Sequence, residues 1–448
     1  MFKRILIANR GEIAVRIIRA CRELGIESVV TYSQADADSL PVRMADHSVC
    51  IGGPAPRDSY LNIPNIITSA LLHGCDAVHP GIGFLAESQV FAETVEQTGL
   101  TWIGPSAETI ELVGDKAKAR EIMNQAGVPV IPGTKGVIDP RADVTKVARA
   151  FGYPLMIKAA AGGGGKGIRV VHGDDELMKS IELSRNEAQS SFGCPDVYIE
   201  KLVVEPRHIE VQVLGDLHGT VTHLWERDCS VQTTNHQKLL EEGPAPNLGD
   251  TLRRRLCETA ARAARAVGYV NAGTVEFLLD RDGEFYFMEM NARLQVEHPV
   301  TELITGVDLV KQQLLVAAGE RQPWRHPRTV LSGHAIELRI DARNPDRNFA
   351  PSPGLIREWI MPGGPGIRID THCYAGYTVP SYYDPLLAKV LVYGATREEA
   401  IRRARRAVAE TFVAPTETTT DFHGRILRNA FFQRGEHTTS FVRKHMNV

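Results

Sequence analysis

Residues 274–300, TVEFLLDRDGEFYFMEMNARLQVEHPV, leave the chain few choices of fold. Two runs, 274–279 and 284–290, alternate around Asp282-Gly283, a dipeptide suited to a two-residue hairpin loop. A loop at those residues pairs Glu276 with Glu289 and Leu278 with Phe287. Opposed side chains in an antiparallel ladder lie roughly 4.5–5.5 Å apart, where like charges repel. The neighbours Val275, Phe277, Met288 and Met290 are apolar, so the two carboxylates need a cation between them. A half-exposed hairpin with a polar stripe is the alternative. Asn291 continues the face and adds a third oxygen of the hard kind preferred by Mg²⁺ or Mn²⁺. Period two then keeps Arg293, Gln295 and Glu297 on the same face. A metal pair, a forked cation and a base in succession suit a metal-bound phosphate meeting a small anion. Arg293 and Glu297 are also compatible with a plain structural ion pair.

A second constraint is the run AAAGGGGKGIRVV at 159–171. Residues 153–159 read as a strand carrying Lys158, and 168–171 as its return strand. Four successive glycines imply close backbone approach or mobility. The strand–strand context and the missing GK[ST] exclude a Walker loop. What remains is a mobile hairpin flap over phosphates with Lys158 beneath it, or a Gly-rich linker.

Around these features the chain reads as α/β. Residues 5–8 form a strand, 9–12 a turn, 13–24 a helix and 28–32 a second strand. Alternation through 77–78, 86–98 and 102–103 completes a Rossmann-like parallel domain at 1–113. It lacks GxGxxG and is therefore not a dinucleotide site. The loop HPGIGF at 79–84 follows a strand, where ligand loops gather in open α/β sheets. Residues 197–202 form a strand, and HIEVQV places His208, Glu210 and Gln212 on one face, a stripe of the kind that usually faces solvent. A helix over 301–322 closes the central domain, 114–322, and 322–328 is a polar linker. A mixed α/β domain at 330–448 begins with HAIELRI, which carries Arg339.

A chain of 448 residues accommodates these three domains. A net charge of −3 offers no case for nucleic acid or an anionic membrane. The basic clusters at 253–256 and 401–407 read as solvated helix faces. Seven cysteines scattered without a CxxC fit a reducing compartment. No apolar run reaches the ~18 residues of a membrane span, so a cytoplasmic protein is expected.

The segments EMNARLQVEHPVTE, AAAGGGGKGIRVV, HPGIGFLAES, ERDCS and ILIANRGEIAVRIIRA together resemble the biotin carboxylase family, in the family's order and over essentially the whole chain. The resemblance implies an ATP-grasp central domain whose lid occupies about 131–203. It implies nucleotide contacts from Lys116, Lys158, Gly164 and Gly165, an adenine edge at Glu200, Lys201 and Val203, and further contacts from His208, Gln232, His236 and Leu278. Glu276, Glu289 and Asn291 would hold Mg²⁺ ions bridging the phosphates. Arg293, Gln295 and the Val296 backbone would face bicarbonate with Lys238 nearby. Glu297 would be the general base, and Arg339 would stabilise the biotin enolate. ATP would phosphorylate bicarbonate to carboxyphosphate, whose CO₂ passes to biotin. The chain has no MKM-type lysine loop, so a separate biotin carboxyl carrier protein and carboxyltransferase are expected, with a homodimeric acetyl-CoA carboxylase component of fatty acid biosynthesis as the family setting.

Three departures stand near substrates in the family. Ile82 replaces a Tyr, Thr416 replaces an apolar residue expected against adenine, and 232–238 (QTTNHQK) has threonines for an Arg-Arg pair and one extra residue. The insertion leaves either Asn235 or His236 in the position before Gln237-Lys238. Two alternatives therefore stay open: a paralogue carboxylating a urea-like acceptor, and a nucleotide-binding subunit with little turnover.

Overall fold

Five parallel strands open the chain, side by side in the order His47–Gly52, Glu27–Ser33, Arg4–Ile7, Ala77–His79 and Thr101–Trp102. Their short apolar runs suit strands covered on both faces, and Ile5, Leu6 and Ile7 are fully buried. The first helix begins at Gly11, so the turn is shorter than 9–12 and Glu12 is buried in the helix's first turn. Strand order reverses between Arg4–Ile7 and Ala77–His79, and the loops after both strands meet there. Asn9 Nδ2 locks them by donating to the Pro80 and Ile82 carbonyls at 2.7 and 2.8 Å. Gly81 makes this approach possible: its φ is +66°, and a Cβ would sit 2.7 Å from Asn9 Nδ2.

The computed structural model describes residues 1–134, 136–138, 143–159, 168–323 and 330–446. A small antiparallel sheet of Arg169–Val171, Leu155–Ala159 and Val197–Lys201 flanks the glycine run. The helices Val144–Phe151 and Asp174–Phe192 cover it around a separate core that includes Leu155, Ile157, Leu177 and Ile181. Gly164 and Gly165 lie outside the described residues, as does most of the 322–328 linker.

The organising layer is one eight-stranded antiparallel sheet. Its order is Phe285–Asn291, Asn271–Leu279, Arg207–Gly215, Val221–Gln232, Lys238–Gly243, His334–Asp341, Leu386–Gly394 and Ile367–Thr371. The expected boundary near 322–330 thus falls between segments that share one sheet through Lys238–Gly243 and His334–Asp341. Ile209, Val211 and Val213 enter an apolar core with Leu256 and Ala260 of the helix Asp250–Ala266. The opposite stripe does not face solvent: Glu210 and Gln212 are wholly buried and His208 nearly so.

The carboxylate hairpin departs from the simplest reading in two compensating ways. Its loop is wider, with Asp280 Oδ1 accepting from the Asp282 and Glu284 amides and the Asp280 amide donating to Glu284. Near the loop Leu278 therefore pairs with Tyr286, not Phe287. A β-bulge at Met288 absorbs the offset and restores Glu276 opposite Glu289. Beyond Asn291 the strand ends, so 293–297 is irregular where alternation was expected. The expected helix over 301–322 is two helices, His298–Thr305 and Leu309–Ala317. Gly306 at φ +71° closes the first, and Asp308 caps the second by accepting from the Lys311 amide.

Candidate active site

A cleft of about 1310 Å³ runs between the lid sheet, the eight-stranded sheet and the loops after the first parallel strands. Lys158, Glu200, Lys201, Val203, His208, Gln232, Leu278, Met288 and Glu289 line one part. Asn291, Arg293, Gln295, Val296, Glu297, Lys238 and Arg339 line the other. His236 lines it at φ +61° and Asn235 does not. The Thr233 hydroxyl accepts from the Gln237 amide, so this threonine holds the turn. Ile82 lines the cleft, whereas Thr416 is buried away from it and Thr439 lines it instead.

At the centre stands Lys238. Its ammonium donates to Glu210 at 2.8 Å, Glu276 at 3.2 Å and Glu297 at 2.6 Å. Burial opposes its charge, but Glu210, Glu276 and Glu297 together hold its pKa well above the usual lysine value. Glu297 stands at the N-cap position of the helix His298–Thr305 without a side-chain cap, and its other oxygen accepts from Arg339 at 2.9 Å. Burial would raise the Glu297 pKa; Lys238 and Arg339 instead keep it well below the ordinary range, so the group is ionised. Arg339 Nε also reaches Glu241 at 2.7 Å, and burial pushes Glu241 up to about 7.

Arg293 and Glu297 are not a pair. Arg293 Nε donates to Glu87 at 2.9 Å, and its Nη atoms lie near Asn291 and Gln295, leaving the guanidinium on the cleft wall. His208 accepts from Gln232 at Nδ1 and, with Nε2 protonated, donates to Glu276 at 2.8 Å. Lys158 pairs with Glu200, tying two strands of the small sheet together at the cleft wall. Lys116 starts the helix Lys116–Gln125, but its side chain is 79% exposed and stands 3.8 Å from Glu289.

Among the described residues, two groups of ligand-type atoms come within 4.8 Å of one another: His208–Glu210–Glu276 and Glu210–Cys229–Glu297. Lys238 already bonds the carboxylates in both, taking the place a cation would hold. The hairpin pair is different. Burial and the opposing Glu276 both raise the Glu289 pKa, and Lys116, His208 and Lys238 offset this only in part. An under-compensated carboxylate facing a second one fits a divalent cation, while Asn291 donates its Nδ2 to Glu276 at 3.0 Å and accepts from Arg293 at its Oδ1, so its amide would have to turn to offer that oxygen to an ion.

Several of these contacts escape sequence reasoning. Arg227, wholly buried, donates to Glu210 at 2.6 Å, Gln212 at 2.8 Å and Thr301 at 2.7 Å, fixing the Lys238 partners from behind. Removing one member of such a buried pair costs about 3–5 kcal/mol. The available signal was a lone arginine inside a strand, in ERDCS. In the basic cluster at 253–256, Arg253 likewise turns inward to Glu226 at 2.7 Å.

A small sheet beside a glycine run, an acidic hairpin and a lysine-centred carboxylate cluster thus share one cleft. Comparison with known proteins gives the family. The model of the biotin carboxylase N-terminal domain matches residues 1–110, that of the carbamoyl-phosphate synthase L chain ATP-binding domain 115–324, and that of the biotin carboxylase C-terminal domain 337–444. Biotin carboxylase 1 of Bacillus subtilis is 52% identical over 443 residues, 99% of this chain and 98% of that protein. The Campylobacter jejuni biotin carboxylase–β,γ-ATP complex superposes with a TM-score of 0.92 at 45% identity, covering 99% of each chain. The biotin carboxylase domain dimer of Hydrogenobacter thermophilus 2-oxoglutarate carboxylase, solved with MgADP, ADP and bicarbonate, gives 0.91 at 45% identity over 100% of this chain and 98% of that one. The biotin carboxylase component of a pyruvate carboxylase gives 0.90 at 46% identity over 100% of this chain and 99% of that one. The chain belongs to the biotin carboxylase family and is an ATP-dependent ligase.

Proposed function

We propose that the protein carboxylates biotin borne on a separate carrier protein, using ATP and bicarbonate, as the first half-reaction of an acyl-CoA carboxylase of the acetyl-CoA type. The observation that carries this reading is Glu297, an ionised carboxylate held between Lys238 at 2.6 Å and Arg339 at 2.9 Å. Lys238 faces the phosphate side through Glu276, and Arg339 comes from the sheet's far half. Mg²⁺ bound by Glu276, Glu289 and Asn291 would neutralise phosphate charge. Arg293 and the Val296 amide orient bicarbonate, and Glu297 takes its proton. A bicarbonate oxygen attacks the γ-phosphorus, the bond to the β-phosphate oxygen breaks, and ADP leaves. Carboxyphosphate then breaks at its carboxyl C–O bond to release CO₂ and phosphate, Glu297 passes the bicarbonate proton on to solvent, the released phosphate takes the ureido proton of biotin, and the enolate held by Arg339 attacks CO₂.

An anion that draws Lys238 away from Glu297 makes that carboxylate more basic, which ties proton transfer to substrate occupancy. We assign the three segments 1–113, 114–322 and 330–448 to the parallel, ATP-grasp and C-terminal units, and take a homodimer in the cytoplasm as the working form. No helix among the described residues is long and apolar enough to cross a membrane.

The test is ATP hydrolysis with and without bicarbonate, and with and without free biotin. Bicarbonate-dependent turnover stimulated by biotin is expected. Stimulation by a urea-like acceptor in place of biotin, or no bicarbonate dependence, overturns the reading. Reconstitution with a carrier and carboxyltransferase, comparing acetyl-CoA with pyruvate, tests the final acceptor.

A further inference from the structure

Lys389 is a lone charged residue in the apolar strand LLAKVLVYG, and its side chain is wholly buried. Its Nζ donates to the Val296 carbonyl at 2.8 Å and lies 3.1 Å from Glu12 Oε2. It therefore joins three parts of the chain: the C-terminal half of the large sheet, the first helix of the parallel domain, and the turn that carries Glu297. Arg339 and Asp370 are its cross-strand neighbours. Glu337 faces it electrostatically from the adjacent strand, and His298 stands close enough for Lys389 to hold the ring neutral along with burial. Both Glu337 oxygens are buried without a hydrogen-bond partner among the described residues.

The Val296 carbonyl shares its peptide plane with the Glu297 amide. The preceding plane is pinned too, because His298 Nδ1, which carries a proton to meet a carbonyl, lies 2.8 Å from the Gln295 oxygen. That plane contains the Val296 amide. Two buried side chains thus fix the peptides on either side of Val296, and with them the direction of one donor and the approach of one carboxylate. Burial disfavours the Lys389 charge, but Glu12, Glu337 and Asp370 sustain it.

We propose that Lys389 is a positioning residue for the anion site, holding the Val296–Glu297 peptide so that the Val296 amide and the Glu297 carboxylate converge on bicarbonate. This rests on the carboxylation reading above. Nothing in it requires Lys389 to touch substrate.

Lys389→Met removes the charged donor and keeps an unbranched side chain. Losing one charged hydrogen bond corresponds to roughly a tenfold to hundredfold effect. We expect that loss in kcat/KM for bicarbonate, with the KM for ATP changed less than about twofold, and partial recovery in Lys389→Arg. Hydrogen exchange at 296–298 should accelerate in Lys389→Met relative to the rest of the large sheet. Should Lys389→Met fail to fold, Glu12→Gln loosens the ammonium's seat without removing it, and a several-fold rise in bicarbonate KM at constant ATP KM is then expected. Folded variants with unchanged bicarbonate kinetics and unchanged exchange at 296–298, differing only in Tm, overturn the proposal, as does a parallel rise in both KM values. Wild-type protein without bicarbonate-dependent turnover refutes the carboxylation reading instead, and the exchange comparison still decides whether Lys389 holds this peptide.

Discussion

Glu289 is the residue on which the metal assignment turns. Burial and Glu276 both penalise its charge, so the metal-free fold gains nothing from that carboxylate being ionised. Glu289→Gln should therefore leave Tm unchanged or slightly higher while Mg²⁺-dependent ATP hydrolysis falls by about a hundredfold or more. A variant with near-normal Mg²⁺-dependent activity would remove the pair from the metal site. Asp341, which also lines the cleft, gives a second test at this scale. Burial, then the nearby Asp384, push its pKa up to about 7, above the value of 3.8 for a free side chain. Between those pH values the native state holds a proton that the unfolded chain has lost, so this group makes stability fall as pH rises. Asp341→Asn removes the titration. Its Tm relative to wild type should climb from pH 4 to about 7 and level off above, whereas a difference independent of pH would show that Asp341 does not titrate in that window.

The hairpin that carries Glu289 shows what an element discloses in sequence and what it hides. Alternation around Asp282-Gly283 was enough to place the two carboxylates opposite each other. It could not disclose the wider loop, because Asp280 closes that loop with its own side chain, or the bulge that cancels the offset. The bulge has a chemical result: Met288 and Glu289 both reach the cleft, while Phe287 and Met290 enter the core. Deleting Met288 should make the ladder regular and keep Glu276 opposite Glu289, so Mg²⁺-dependent turnover survives. The apolar wall is lost, and burying such a side chain is worth about 1.5–3 kcal/mol, so the KM for ATP should rise roughly tenfold or more. An inactive but folded deletion would mean that the bulge, not the pairing, positions Glu289. Motifs made the hairpin, Lys238, Arg339 and the strand Val197–Lys201 legible. Glu210, Arg227, Glu241 and Lys389 stayed hidden because a single charge in a strand does not reveal its distant partner, and a regular polar stripe looks the same whether covered or solvated.

At the scale of the molecule, one sheet carries chemistry across the expected boundary at 322–330. Lys238, on the strand Lys238–Gly243, touches Glu276 of the hairpin; Arg339, on the paired strand His334–Asp341, touches the opposite oxygen of Glu297. Glu297 therefore has a partner on each oxygen, from separate parts of the chain. Arg339→Ala should divide the two half-steps. In the proposed mechanism, bicarbonate-dependent ATP hydrolysis without biotin uses Lys238, Arg293 and the metal pair, and it should fall by no more than about tenfold. Biotin-stimulated turnover needs a fixed guanidinium for the developing enolate charge, a role worth about a hundredfold to a thousandfold in comparable oxyanion sites. The substitution also strips Glu241 of its partner, and burial then pushes that carboxyl further up, so Tm should drop as well. Comparing the two turnover rates on the same purified variant separates this loss of stability from loss of the biotin step, because unfolding lowers both alike. An equal loss in both would show that Arg339 acts only by holding Glu297.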